Sequence, residues 1–322
     1  MVRETLRVTH SFLQDSDESV RRSCLSKRDR ARRGYSPANT ENFASLLGES
    51  GPNDLVRKFR MGTPSNHFSS TLLQENVWPL PTASANWDTA DCDDFQSTVE
   101  DYYDKICFVA NEIVQCICDG LLLEYPDLSP ALQPLLATSS SITKRQTKDE
   151  EENHNISENS SFAHNTSILT LLGYRTGSRH KKAHQKKKRI VHPLVSAHTD
   201  IGVITVLIHD GGDCAALQRQ LKNTNVDENQ LFENVILPAQ IQDDPVFVVN
   251  IADCLSAITG ERLPSTVHRV VPQDGVIHRN CLALFTGFKG EQKLTINGEE
   301  ISYEAWRKKR VKESLSVLRS CT

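Results

Sequence analysis

Apolar positions follow two different spacings along this chain. From Phe95 to Leu122 they recur every three or four residues, at Phe95, Val99, Tyr102, Ile106, Val109, Ile113, Ile117 and Leu121. That is one face of a helix, so the spacing predicts a long amphipathic helix with an apolar side that must cover a sheet. Downstream the pattern shortens to strands, at 167–175, 194–198, 201–209, 246–252, 265–271, 280–288 and 293–298, separated by glycine and acidic turns. Several short strands with no long helix among them predict a sandwich or barrel rather than a parallel α/β sheet. The tail "YEAWRKKRVKESLSVL" predicts a terminal amphipathic helix, and no internal repeat is visible.

The rest of the chain is weakly patterned. "DESVRRSCLSKRDRARR" predicts an exposed helix within a charged stretch, 1–33. The prolines of "NVWPLP" rule out a long helix there. Residues 138–167 are polar and low in complexity, which predicts a flexible insertion. A second insertion carries seven Lys/Arg between Arg179 and Arg189. It reads as a nuclear-import or polyanion patch, or more plainly as a solvated loop.

Composition narrows the function class. With 38% hydrophobic and 24% charged residues, some segments are expected outside the core. A net charge of −4 argues against a nucleic-acid partner. The apolar runs fall short of the roughly 18 residues of a membrane span, and "MVRETLRVTHSF" lacks the apolar region of a signal peptide. Nine cysteines without a CxxC pair argue against a zinc ribbon or a disulfide framework. A reducing, cytoplasmic compartment is expected, or a nuclear one if the basic run acts as an import signal. Asn155, Asn159 and Asn165 match the glycosylation pattern by chance in a Ser/Asn-rich run. A monomer acting on a small molecule is expected.

The chemistry starts at "SAHTDIGVITVLIHD". In a strand, residues i and i+2 share a face, so His198 and Asp200 project together and Thr199 turns away. Alone, this pair reads as a His–Asp hydrogen bond at a strand end. His268, in the β-patterned "LPSTVHRVV", supplies a third element. Two histidines and a carboxylate make the facial triad of non-haem Fe(II) oxygenases, although zinc could use the same ligands. "HRNCLALF" then puts Arg279, Cys281, Ala283 and Phe285 on one face. An arginine inside an apolar barrel is costly unless paired, and its fork suits the distal carboxylate of a dicarboxylate such as 2-oxoglutarate. His192, His209 and His278 read as surface or supporting residues, Asp253 as a turn or capping residue, and Arg269 as structural.

These segments resemble the isopenicillin N synthase-like family of 2-oxoglutarate/Fe(II)-dependent oxygenases. "HTDIGVITVLIHD…ALQ" is similar to the family's H-T-D-x-G-x-x-T-x-L-x-Q-D…G-L-Q. "FVVNIADCLSAITGERLPSTVHRVV" is similar to its V-N-x-G-D-x-L-x-x-x-[ST]-N-G-x-x-x-S-x-x-H-R-V. The resemblance implies a mainly β fold with flanking helices: a double-stranded β-helix (jelly-roll) core supported by the long helix of the N-terminal half. It implies a helical and loop region at 1–137, a core at 168–290 with the basic loop 177–190, and a C-terminal strand and helix at 291–322. His198, Asp200 and His268 would be the metal ligands, with Arg279, Cys281 and Tyr174 at the cosubstrate. Fe(II), 2-oxoglutarate and O2 would be required, with ascorbate as a stimulant. The implied reaction hydroxylates or desaturates a small organic molecule and releases succinate and CO2.

Three departures stand out. Cys281 replaces the family's serine, "GYRTG" lacks its prolines, and the strand, helix and strand that usually open the family are missing. The shortened start leaves the edge of the major sheet expected to be unpaired. An oxidase of the same fold that does not use 2-oxoglutarate, or an inactive binding scaffold, are the alternatives.

Overall fold

The computed structural model describes residues 1–26, 33–43, 52–63, 75–82, 86–143, 167–175, 193–210, 216–221, 231–236, 245–272 and 278–320. The basic loop 177–190, His192 and the three Asn-x-Ser/Thr sites lie outside the described residues.

Twelve strands and six α-helices make up the described chain. In order they are α1 (Val2–His10), α2 (Glu18–Ser23), β1 (Gly34–Ser36), β2 (Val56–Met61), α3 (Thr89–Glu124), α4 (Ser129–Thr143), β3 (Ile168–Arg175), β4 (Val195–His198), β5 (Ile204–His209), β6 (Leu217–Gln220), β7 (Phe232–Asn234), β8 (Val248–Ile251), α5 (Asp253–Ile258), β9 (His268–Val270), β10 (His278–Phe285), β11 (Lys293–Ile296), β12 (Glu299–Ser302) and α6 (Tyr303–Ser320). The major sheet runs β1-β2-β3-β10-β5-β8 and the minor sheet β4-β9-β6-β7, with every pair antiparallel. The two sheets enclose a cluster that includes Leu172, Tyr174 and Ala283 from one and Val195, Leu217 and Val270 from the other. This is the predicted jelly roll.

The outer face of the major sheet packs on helices. Strand β5 reads "ITVLIH" because Ile204, Val206 and Ile208 face the helical layer while Thr205 and Leu207 face the inter-sheet cavity. Buried on both sides, such a strand loses strict alternation. Helix α3 starts at a capping box in which Asp88 and Asp91 each accept the other's backbone N–H at 3.0 Å. Its buried stripe differs in phase from the predicted one beyond Ile106. Ala110, Val114 and Cys118 are buried, whereas Val109, Ile113 and Ile117 are half-buried, and Phe108 stays exposed. The 3.6-residue turn rotates the face away from a fixed four-residue spacing. By length and composition alone α3 could cross a membrane, against the expectation that no stretch is long enough; here one side of it packs in the core.

The N-terminus differs from the predicted exposed helix. Helix α1, a π-helical turn (Ser11–Asp15) and α2 bury Val8, Phe12, Leu13 and Val20. Phe12 meets Phe95 of α3 at 4.6 Å and Phe59 of β2 at 5.5 Å between ring centroids. The expected bare sheet edge is closed as well. Tyr35 on the three-residue β1 exchanges backbone hydrogen bonds with Cys24 (2.7 Å) and Ser26 (2.8 Å). Helix α4 runs to Thr143, into the stretch expected to be a flexible insertion. Near the C-terminus the one predicted strand is a hairpin. Asn297 and Gly298, at φ 53° and 81°, make the turn that an Asn-Gly pair favours.

Candidate metal centre and cosubstrate pocket

Strand β4 ends at His198 and β9 begins at His268, and the two are register partners across the minor sheet. Their ring centroids lie 4.4 Å apart. Asp200 follows where the chain has left the strand, and Ile201–Val203 bend rather than continue it, against the predicted start of that strand at 201. Gly202 is pressed so closely on the Thr286 carbonyl that a Cβ would stand 2.0 Å from its oxygen. The Asp253 N–H donates to the Asp200 carbonyl at 2.7 Å. Thr205 and Asn250, register partners on β5 and β8, donate to Asp200 Oδ2 at 2.7 and 2.8 Å.

His198 Nε2 lies 3.8 Å from Asp200 Oδ1, and His268 Nε2 lies 3.9 Å from Oδ2. One ligand atom from each of the three residues falls within 4.8 Å of the others. His198 Nδ1 faces the Ser196 carbonyl at 2.8 Å and His268 Nδ1 faces the Thr266 carbonyl at 3.0 Å. A carbonyl only accepts, so each Nδ1 carries a proton, and each Nε2 is turned toward Asp200. Burial, then the like charge of His268, pulls His198 down to about 4. Burial pushes Asp200 up, but the two histidines and the Thr205 and Asn250 hydrogen bonds outweigh it and hold the carboxyl below its usual range. Loading a divalent cation here would require the Nε2 atoms free of protons and the carboxyl ionised.

The triad opens on a cavity of about 230 Å³ between the sheets. Across β3 and β10, Arg279 pairs with Tyr174 and Cys281 with Leu172, and all four line the cavity. Arg279 is buried with its guanidinium 5.3 Å from the Tyr174 ring centroid. Its Nε and Nη1 have no hydrogen-bond partner among the described residues. Two unmet donors on a buried cation are costly, which fits a site that takes a carboxylate. Burial raises the Tyr174 phenol, so it stays a donor at neutral pH.

One side of the cavity comes from a region where no site residue was predicted. Phe43 stacks on His198 at 4.9 Å with the rings 16° from parallel. Lys58 Nζ sits 3.7 Å from the Phe43 ring centroid, and burial pulls this lysine down to about 8. Asp54 accepts the Ser196 N–H at 3.1 Å and the Phe43 N–H at 3.0 Å. Glu41 bridges Lys58 at 2.9 Å and Arg60 at 2.9 and 2.6 Å. Only the i, i+2 spacing of Lys58 and Arg60 in "VRKFRM" hinted that both cations face inward.

The other histidines and charges stand apart from the triad. Arg269 bonds Gln218 at 2.8 Å and covers Phe232, a structural role. His278 meets His10 edge-on at 5.7 Å, and His209 pairs with Cys281 across β5 and β10. Asp253 is no cap: it is the first residue of α5, whose N-cap is Ala252, and its carboxylate binds Thr199 and Arg310.

Residues 179–287 match the family model of the 2OG-Fe(II) oxygenase superfamily. That stretch holds His198, Asp200, His268 and Arg279, so this part of the chain is similar to the superfamily. Among curated members, it is similar to a proline hydroxylase, buaE, of Petromyces alliaceus: 22% identical over 84% of this chain and 66% of the relative. It is 26% identical to a clavatol oxidase, claD, of Penicillium crustosum over 74% of this chain and 58% of the relative. The chain therefore spans less than two thirds of these superfamily members' lengths. Among solved structures, the fold is similar to that of a full-length Neurospora crassa protein in complex with alpha-KG, with a TM-score of 0.59 at 19% identity, over 97% of this chain and 82% of that one. It is also similar to JOX2 in complex with 2OG, Fe and JA, with a TM-score of 0.56 at 15% identity, over 99% and 76%.

Proposed function

We propose that this chain is a 2-oxoglutarate-dependent Fe(II) oxygenase of the isopenicillin N synthase-like type, which hydroxylates or desaturates a small organic molecule. The observation that carries this reading is the buried Arg279 with two unmet donors, in the same cavity as the His198–Asp200–His268 cluster. A hydrolytic zinc site needs no such anion receptor. The superfamily match and the hydroxylase and oxidase relatives support it.

His198, Asp200 and His268 would hold the metal at the wall of the cavity. Bound Fe(II), with 2-oxoglutarate and O2, supplies an oxidant able to attack an unactivated C–H bond, with release of succinate and CO2. The chain's own residues bind and orient. Arg279 holds the distal carboxylate of the cosubstrate through its fork. Tyr174 donates its phenolic proton in a hydrogen bond to the same end. The apolar walls, among them Leu172, Val195, Leu217 and Phe285, exclude water from the reacting centre.

The test is anaerobic titration with Fe(II) and 2-oxoglutarate, followed by succinate release on admitting O2, for the wild type and Arg279→Met. The expected result is metal-dependent 2-oxoglutarate binding and slow succinate release in the wild type, with binding weakened at least ten-fold in the variant. Oxygen uptake untouched by Arg279→Met would favour a same-fold oxidase. A wild type that takes up no metal would leave an inactive scaffold.

A further inference from the structure

The Asp200 turn is tied to the C-terminal helix by a closed set of hydrogen bonds. Arg310 Nε on α6 donates to Asp253 Oδ2 at 2.9 Å. Thr199 Oγ1 donates to the same oxygen at 3.1 Å, and Arg310 Nη2 donates to Thr199 Oγ1 at 3.3 Å. Thr199 stands between His198 and Asp200 and points away from both. Asp253 reaches the same turn a second time, through its N–H to the Asp200 carbonyl at 2.7 Å. Cys254 N–H adds a bond to the Gly202 carbonyl at 2.9 Å.

Asp253 and Thr199 are both buried, while Arg310 keeps a quarter of its side chain exposed. A buried carboxylate with no cation would strain the turn that it holds. Arg310 supplies that cation from a helix whose start is held by apolar contacts of Tyr303 and Trp306 and by the Tyr303 and Glu304 N–H groups on the Gln292 and Gly290 carbonyls. The guanidinium fits two acceptors on adjacent segments at once, which a lysine ammonium does less well.

We propose that Arg310 is a positioning residue for the metal centre, acting through Asp253 and Thr199 on the His198–Asp200 turn. Docking of α6 and loading of the metal are then linked, and each favours the other by the same factor. The proposal rests on the metal-site reading given above.

The experiment uses the full chain and Co(II) alone, read by its visible absorption and by amide hydrogen exchange in residues 303–313. Arg310→Met is expected to weaken Co(II) affinity about ten-fold, the lower end for residues that orient metal ligands, and Arg310→Lys to recover part of it. In the wild type, Co(II) slows exchange in 303–313; in Arg310→Met it does not. Should Arg310→Met fail to fold, Thr199→Val removes the shared hydroxyl at equal size and is expected to show the same loss. Unchanged Co(II) affinity in the folded variant, or exchange indifferent to Co(II) in the wild type, overturns the linkage while leaving the metal site intact. A wild type that takes up no Co(II) overturns the metal site itself.

Discussion

Asp54 and Ser196 are 142 positions apart, yet the Asp54 carboxylate accepts the Ser196 backbone N–H at 3.1 Å. The Ser196 carbonyl in turn takes the Nδ1 proton of His198. One hydrogen-bonded line thus leads from the entrance of β2 to the His198 imidazole, on the nitrogen opposite the metal-facing one. Asp54→Ala should leave a buried N–H on Ser196 and a partly buried one on Phe43 unmet, lowering stability by about 1–3 kcal/mol. Co(II) affinity should fall about ten-fold. Urea unfolding and a cobalt titration measure the two effects separately.

Glu41 carries the compensating charge for two buried cations. Burial favours its neutral form, but Arg60 and Lys58 overcome this and hold its carboxyl well below the usual range. A depressed folded pKa gives stability that is present above the unfolded value of 4.5 and is lost as pH falls below it. The wild-type urea midpoint should therefore drop steadily below pH 4.5. Glu41→Gln should already be less stable at pH 7, by about 3–5 kcal/mol, and its midpoint should fall less steeply in acid. Equal midpoints for the two proteins at pH 7 would count against the ion cluster.

Cys281 lines the cavity one inward position from Arg279 on β10. A thiol donates weakly where a hydroxyl would donate well. Cys281→Ser should tighten 2-oxoglutarate binding about five-fold, the worth of roughly one modest hydrogen bond. Calorimetry in the presence of Co(II) reads it, and weaker binding in the variant would place the thiol away from the cosubstrate carboxylate.

Gly202 has no room for a methyl group, because the obstacle is the Thr286 main chain rather than a movable side chain. Gly202→Ala should cost about 1–3 kcal/mol through forced backbone movement. It should weaken Co(II) binding as well, since the same bend carries Asp200. A folded Gly202→Ala protein of wild-type stability would contradict the close approach.

The metal cluster was legible in the sequence because both of its signals are local or patterned. His198 and Asp200 lie two apart, and His268 stands in an apolar β pattern. Arg279 was legible because a charge in "HRNCLALF" breaks an otherwise buried strand. Phe43, Asp54, Lys58 and Arg60 were not, since the i, i+2 spacing of the two cations sets them on one face without saying that Glu41 and Asp54 meet them inside. The same holds for Arg310, one of four cations in "RKKR" and set apart only by its partner Asp253. The buried N-terminal helices were missed for a related reason. Phe12, Leu13 and Val20 are too few and too irregularly spaced to outweigh the charges around them, and a π-helical turn breaks their period.

The partners that set both imidazole orientations are main-chain carbonyls, those of Ser196 and Thr266. Any amino acid supplies such an oxygen. Codons 196 and 266 can therefore drift without turning either ring, provided the backbone path survives. Variation at those two positions among descendants of this gene would carry little information about whether the centre still works.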